Sequence, residues 1–256
     1  MASAQSFFPP LPITGITFPT SPLLESALAY TKEHTSPSIV NHCLRSAAFA
    51  LLLAPRVESL GDEYIDLELV VYSCIMHDLG LGTTKAFLSP DKRFEVDSAN
   101  LVRQFLREHD KAKWDKHRLQ LSWDAIALHT TRSIAHYKEA EVALVQFGIS
   151  ADFAGPNFPP EGIISIAEYE EIATTFPRLG FKDQLTDIMC GLCRDKPHTT
   201  FDNIAGEYGR NFGIDGKGTG REEYTKQWAE GSLVRARVRP LEACEVIERS
   251  FSTSAT

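Results

Sequence analysis

Apolar residues recur along most of this chain at the three- and four-residue spacing of amphipathic helices. Sustained alternation of apolar and polar residues, the pattern typical of strands, does not occur in the sequence. We therefore predict an all-α protein. The helical segments that the pattern predicts are 22–34, Pro37 through Ala54, 66–79, 94–109, 117–131, 137–153, 165–176, 181–194, 221–230 and 240–250.

Two segments break the helical pattern. Residues 1–22 contain five prolines among apolar side chains, and such a composition cannot propagate a helix. We predict an extended arm there, whose apolar residues lie along the main body or a second subunit, followed by a single helical domain over 23–256. Segment 206–220 contains six glycines, which predict a surface loop that could act as a lid.

Composition narrows the possible partners. The 256 residues carry a net charge of -8, and the basic residues are scattered, so we expect no nucleic-acid partner. Apolar runs stay well short of the roughly 18 residues of a membrane span. The five cysteines form no regular framework, which favours free thiols and a cytoplasmic protein, with access to the nucleus left open. The apolar arm permits a homodimer without requiring one.

The most informative chemical pattern is the pair His77 and Asp78. It ends the apolar stretch 67–76 and is followed by a leucine and a glycine. Polar side chains that project from a buried helix can hold a divalent ion and leave a coordination position open. The pair therefore predicts half of a metal site.

Two more residues of metal-binding type lie in apolar helical segments. His42 falls in the predicted helix that begins at Pro37, and Asp152 follows the apolar stretch 143–149. Taken alone, each is more often a satisfied core residue than a ligand. An unpaired buried carboxylate is costly, however, and two histidines with two carboxylates suit Zn²⁺ or Fe²⁺ with water completing the shell. We predict the metal ligands His42, His77, Asp78 and Asp152.

These four residues resemble the H…HD…D signature of HD-domain metal-dependent hydrolases. Longer segments are similar to the fungal cyanamide hydratase family, and the similarity spans roughly residues 25 to 215: SIVNHCLRS (38–46), CIMHDLGLG (74–82), RFEVD (93–97), ALHTT (127–131) and GISAD (148–152). The resemblance implies an HD-domain helical bundle with additional C-terminal helices. It also implies one Zn²⁺, bound by the four residues above, and the hydration of cyanamide to urea.

The residues are compatible with that reaction. A bound Zn²⁺ lowers the pKa of its water to about 7, which provides hydroxide to attack a nitrile carbon. We predict catalytic roles for Asp78, His129 and Thr130, with His129 as the acid/base, and substrate-binding roles for Glu95 and Thr131. Asn41 and Arg45 flank His42, and we leave both out of the site because neighbouring helix positions point about 100° apart.

Three alternatives remain open from the sequence. HD-type phosphohydrolases often place a lysine where this chain has Leu81, which favours a small neutral nitrile-type substrate, although Lys85 could supply a cation for a nucleotide or other phosphate ester. A second metal could use histidines between Asp78 and Asp152. The third alternative is a non-enzymatic helical module that the metal stabilises.

Overall fold

The structure is a computed structural model that describes residues 7–61, 64–109, 114–231 and 233–253. Within these ranges every regular element is helical and no strand occurs, which confirms the predicted all-α class. The α-helices are α1 Pro22–His34, α2 Pro37–Leu53, α3 Leu67–Met76, α4 Phe94–His109, α5 Lys116–Ala127, α6 Arg132–Ala135, α7 Ala140–Ala154, α8 Ile166–Thr175, α9 Phe181–Asp195, α10 Ile204–Phe212, α11 Arg221–Glu230 and α12 Leu233–Thr253.

Residue contacts divide the chain into two compact units, Met1–Lys182 and Asp183–Thr256. The predicted single domain over 23–256 stays a prediction, because a division by contacts does not establish which segments fold independently. None of the helices in the described ranges has the length and apolar character needed to cross a lipid bilayer.

Helix α2 lies at the centre of the first unit. Pro37 occupies its first turn, where a missing backbone N–H costs nothing, and nearly all its later side chains are buried. It packs most extensively against α7 and also against α3. Gly148 of α7 permits this approach, because a Cβ there would lie 2.4 Å from the carbonyl oxygen of Ser46. The close α2/α7 contact brings His42 and Asp152 together.

Helix α3 is buried from Leu69 to its last residue, Met76. The side chain of Asp66 caps its N-terminus by accepting a hydrogen bond from the Leu69 N–H, and the helix ends at Met76. His77 and Asp78 follow directly in a turn, so the helix predicted over 66–79 extends too far at its C-terminal end. Gly80 then lies against α4, where a Cβ would be 2.2 Å from the Phe94 carbonyl oxygen. That contact fixes the chain immediately after the His-Asp pair.

The N-terminal segment from residue 7 onward packs onto the first unit. Phe8, Leu11 and Phe18 are buried members of its hydrophobic core. The backbone N–H groups of Ile13 and Thr14 donate to the Glu171 carboxylate in α8, at 2.7 and 2.8 Å. Residues 1–6 of the predicted arm lie outside the described residues.

The predicted glycine-rich loop over 206–220 is wrong for its first half. Residues up to Phe212 belong to α10, in the second unit. Gly206 and Gly209 serve close packing there: a Cβ on Gly206 would lie 2.2 Å from the Thr200 carbonyl oxygen, and one on Gly209 would lie 2.4 Å from the Tyr224 ring. These glycines pack against Thr200 and Tyr224, which the composition of the segment does not reveal.

Three further helix boundaries need correction. The helix predicted over 117–131 ends at Ala127, and a turn carries residues 128–130 before α6 begins. The helix predicted over 240–250 begins earlier, at Leu233, with Pro240 inside it. The helix predicted over 137–153 begins later, at Ala140, after a turn at 136–137.

Candidate metal centre

His42, His77 and Asp78 meet in the interior of the first unit. His42 projects from the second turn of α2, while His77 and Asp78 follow the last turn of α3, and each exposes 3% or less of its surface. The Asp78 Oδ2 atom lies 3.2 Å from His77 Nε2 and 3.7 Å from His42 Nε2. Ligand atoms of these three residues all lie within 4.8 Å of one another, close enough to share one ion.

Hydrogen bonds at the back of each imidazole determine which nitrogen faces the cluster. His42 Nδ1 contacts Asp152 Oδ2 at 2.6 Å, and His77 Nδ1 contacts the Cys74 carbonyl oxygen at 2.8 Å. Since both partners are acceptors, the Nδ1 atoms carry the protons. The lone pairs of both Nε2 atoms are thereby directed toward Asp78.

The electrostatics of the cluster require positive charge. Burial raises the pKa of the Asp78 carboxyl, but the surrounding imidazoles, His77 foremost, outweigh burial and hold that pKa below its usual range. Burial likewise lowers the pKa of His77, and the Asp78 carboxylate outweighs it and raises that pKa well above 6.5. Without a cation, His77 therefore retains a second ring proton beside Asp78.

The donor set fits a divalent cation. His77 Nε2 is buried, and its 3.2 Å contact with Asp78 Oδ2 is not directed as a hydrogen bond, which is costly for a polar atom unless something else binds it. Two imidazole nitrogens and a carboxylate oxygen match the mixed nitrogen and oxygen preference of Zn²⁺ or Fe²⁺. His42, His77 and Asp78 could therefore hold the metal, with room for water in its shell.

Asp152 lies behind His42 rather than among the ligand atoms. Its carboxylate accepts two hydrogen bonds from Arg45, from Nε at 2.6 Å and from Nη2 at 3.0 Å. Arg178 Nη2 lies 3.2 Å from the same carboxylate, and His42 occupies the remaining side. Burial raises the pKa of this carboxyl, while His42 and Arg45 together lower it to about 2. The structure thus does not bring Asp152 to the cluster that it forms from the other three predicted ligands.

His129 approaches the cluster from the turn after α5. Its Nε2 atom lies 3.7 Å from Asp78 Oδ1, and its Nδ1 atom contacts the Ile126 carbonyl oxygen at 2.6 Å. Burial, with His77 adding to it, lowers the pKa of His129 to about 4. The imidazole is therefore neutral at pH 7 and directs the lone pair of Nε2 toward Asp78, as a base requires.

The three remaining predicted residues occupy different places. Glu95 is fully buried, and the Thr130 hydroxyl donates to its Oε1 at 2.7 Å, so these two residues meet beside His129. Arg93 also donates to Glu95, at 2.9 Å. Thr131 is the N-cap residue of α6, and its side chain makes no capping hydrogen bond.

Arg45, which is not among the predicted site residues, pairs with Asp152 next to the cluster. It is fully buried, and its guanidinium lies 5.8 Å from the Phe181 ring centre, while that ring stacks on His42 at 4.5 Å. The signal was available, because Arg45 follows His42 by three positions and such pairs share one face of a helix. Arg178 and Phe181 carried no comparable signal, since both are distant in the sequence.

Other residues considered from the sequence lie elsewhere. His109 contacts the carbonyl oxygen of Phe105, His136 contacts Gln146, and His117 is exposed, so of the described histidines between Asp78 and Asp152 only His129 lies beside the cluster. Leu81 is buried, and Lys85 is exposed at the surface.

Comparison with known proteins supports the same assignment. A profile of the HD domain matches residues 39–169, just over half of the chain and including every ligand candidate. A search of curated proteins finds no significant match. HD domains bind divalent metals and indicate a superfamily of metal-dependent hydrolase type. The arrangement of His42, His77 and Asp78 and the extent of the match together lead to one conclusion: this chain belongs to the HD-domain family.

Proposed function

We propose that this HD-domain protein hydrates a small neutral nitrile, with cyanamide as substrate and urea as product. The observation that carries the proposal is the closed, metal-ready cluster with a neutral histidine beside it. His42, His77, Asp78 and His129 each expose 4% or less of their surface. A short linear molecule such as cyanamide suits such a site, whereas a nucleotide would need a much wider opening.

The charges around the cluster support a neutral substrate. Three arginines whose carboxylate partners lie beside the cluster residues are paired with those carboxylates: Arg45 and Arg178 with Asp152, and Arg93 with Glu95. Phosphate esters usually require cationic groups that face the phosphate oxygens. Leu81 offers no such group, which favours hydration over phosphate hydrolysis.

The proposed roles follow from the contacts. His42, His77 and Asp78 would hold the cation, for which we favour Zn²⁺ over Fe²⁺. When bound, such an ion lowers the pKa of water and makes it a nucleophile near neutral pH. The neutral His129 is suited to accept the proton of the attacking water at Nε2 as the oxygen bonds to the nitrile carbon.

The same proton completes the addition. The His129 imidazolium would donate it to the nitrile nitrogen, and tautomerisation of the resulting isourea gives urea, so atoms and charge balance. The Thr130 hydroxyl donates its hydrogen bond to Glu95, which leaves the Thr130 oxygen as an acceptor for the substrate amino group. Glu95 would act by orienting Thr130, and Thr131 remains a candidate for substrate binding.

The direct test is urea release from cyanamide by the purified, Zn²⁺-loaded protein. We expect turnover in the wild type and none in Asp78→Asn, while Asp91→Asn, a matched change at an exposed carboxylate, should retain activity. Phosphate release from nucleoside monophosphates without urea would favour the phosphohydrolase function instead. If neither product forms and chelation unfolds the chain, the metal has a structural role.

A further inference from the structure

The two ring nitrogens of His42 face two different carboxylates. Nε2 lies 3.7 Å from Asp78, on the side of the proposed ion, and Nδ1 lies 2.6 Å from Asp152, on the opposite side. Because the imidazole is rigid, a contact that fixes one nitrogen also sets the direction of the other. Asp152 is thus placed to control how His42 faces the cluster.

The hydrogen bonds of Asp152 are already taken up. Oδ1 contacts Arg45 Nε at 2.6 Å and Arg178 Nη2 at 3.2 Å, and Oδ2 contacts Arg45 Nη2 at 3.0 Å and His42 Nδ1. Its negative charge is balanced by two guanidiniums. To coordinate an ion beside Asp78, it would have to break part of this buried, bidentate ion pair.

Arg45 is itself held on all sides. Its Nη1 atom donates to the Phe176 carbonyl oxygen at 2.8 Å, and its side chain is fully buried in α2, one turn from His42. Arg178 adds a second anchor, a 2.6 Å hydrogen bond to the Asp152 carbonyl oxygen. The carboxylate is therefore fixed from α2 and from the segment that follows α8.

We propose that Asp152 is a positioning residue, not a metal ligand, and that Arg45 and Arg178 hold it so that it orients His42. A carboxylate that accepts the Nδ1 proton of a ligand histidine fixes the tautomer and the ring direction and raises the basicity of the other nitrogen. This inference rests on a cation bound by His42, His77 and Asp78, and is independent of the substrate.

Equilibrium binding of Co²⁺, followed by its visible absorption, tests the proposal. We expect Asp152→Asn to bind one Co²⁺ with the band positions and intensities of the wild type, because its ligands are unchanged. Its affinity should fall about 10- to 100-fold, the usual effect of losing such a partner. Asp78→Asn, the matched change at a ligand, should show no binding at concentrations that saturate Asp152→Asn.

Two results would overturn the proposal. A changed Co²⁺ spectrum or abolished binding in a folded Asp152→Asn protein would make Asp152 a ligand, and an unchanged affinity would reduce its role to packing. If Asp152→Asn fails to fold, Arg45→Lys provides the same test, since it keeps the charge and loses the bidentate geometry. We expect it to lower Co²⁺ affinity with an unchanged spectrum. If the wild-type protein releases no urea, the proposed function fails, but the Co²⁺ measurements still test the role of Asp152.

Discussion

Asp78 and Asp152 are two buried carboxylates on opposite sides of one histidine, and their surroundings differ. Asp78 contacts imidazole nitrogens: His77 at 3.2 Å, with His42 and His129 at 3.7 Å. Asp152 contacts the guanidiniums of Arg45 and Arg178 in addition to His42. Both groups are ionised, yet only Asp78 lacks a permanent positive partner.

The difference shows that the type of partner, and not burial, separates the two roles. Without a cation, a proton on His77 balances the charge of Asp78, and a metal ion bound by the ring nitrogens would take the place of that proton. The permanent charges of two guanidiniums already balance the Asp152 carboxylate, so a further cation would stabilise it little. The same residue type can thus bind an ion on one side of His42 and position the ligand on the other.

The largest expected effect follows from removing a ligand on the Asp78 side. His77→Ala deletes the buried Nε2 atom that has no hydrogen bond, and we expect loss of bound metal and of the whole catalysed rate. Metal content and urea release measure both. His109→Ala, a matched change at an exposed histidine, should retain both, and retention of metal by His77→Ala would contradict the cluster.

The next effect separates holding the ion from moving a proton. His129→Gln should keep its metal, because His129 lies beyond the three ligands, and lose turnover by about 10²- to 10⁴-fold, the usual contribution of a general acid/base. Steady-state kinetics and metal analysis of the same sample show whether turnover falls while the metal is retained. Loss of metal along with turnover would instead place His129 among the ligands.

Breaking the ion pair on the Asp152 side should act on stability. Arg45→Met leaves the Asp152 carboxylate buried with one guanidinium fewer, and removing one partner of a buried pair costs about 3–5 kcal/mol. Urea unfolding of the metal-free protein measures this free energy. Arg107→Met, on the exposed face of α4, should change it by less than about 0.5 kcal/mol. Equal effects of the two changes would be inconsistent with a buried pair.

The smallest effect concerns a more exposed pair, Arg56 and Glu168, at 2.6 Å. Arg56 lowers the pKa of the Glu168 carboxyl from 4.5 to about 2. Because the folded pKa is depressed, the stabilisation is present above pH 4.5 and is lost as the pH falls from 4.5 toward 2. Solvent screening reduces it to about 1 kcal/mol.

This pH dependence can be isolated with one variant. The difference in free energy of unfolding between wild type and Glu168→Gln should be full at pH 7 and shrink steadily below pH 4.5. A difference that is independent of pH down to pH 3 would show that the hydrogen bonds at the N-terminus of α8, and not the charge, account for it.

Much of this architecture follows from local patterns. The apolar run of α3 and the proline at the start of α2 set those helices, and the position of His77 and Asp78 at a buried helix end could be predicted from them. The helix that contains Gly206 and Gly209 could not be predicted in this way. The role of these glycines depends on Tyr224, which packs against Gly209 from another helix. Glycine composition alone does not distinguish flexibility from close packing.

The sequence indicates which residues lie at the site better than it indicates what each residue does there. The sequence placed Asp152 in an apolar setting, which implied a cation, and that cation could have been a metal or an arginine. Arg45 lies one helical turn from His42, but its pairing with Asp152 spans more than a hundred residues and depends on how α2 and α7 pack. Such contacts are set by tertiary structure.

The account is tested most directly by anomalous diffraction at the absorption edge of the bound metal, with crystals of the wild-type protein. We predict a single ion about 2.0–2.2 Å from His42 Nε2, His77 Nε2 and an Asp78 carboxylate oxygen, with Asp152 still paired to Arg45 and outside the coordination shell. An ion coordinated by Asp152, or one bound away from these three residues, would contradict it.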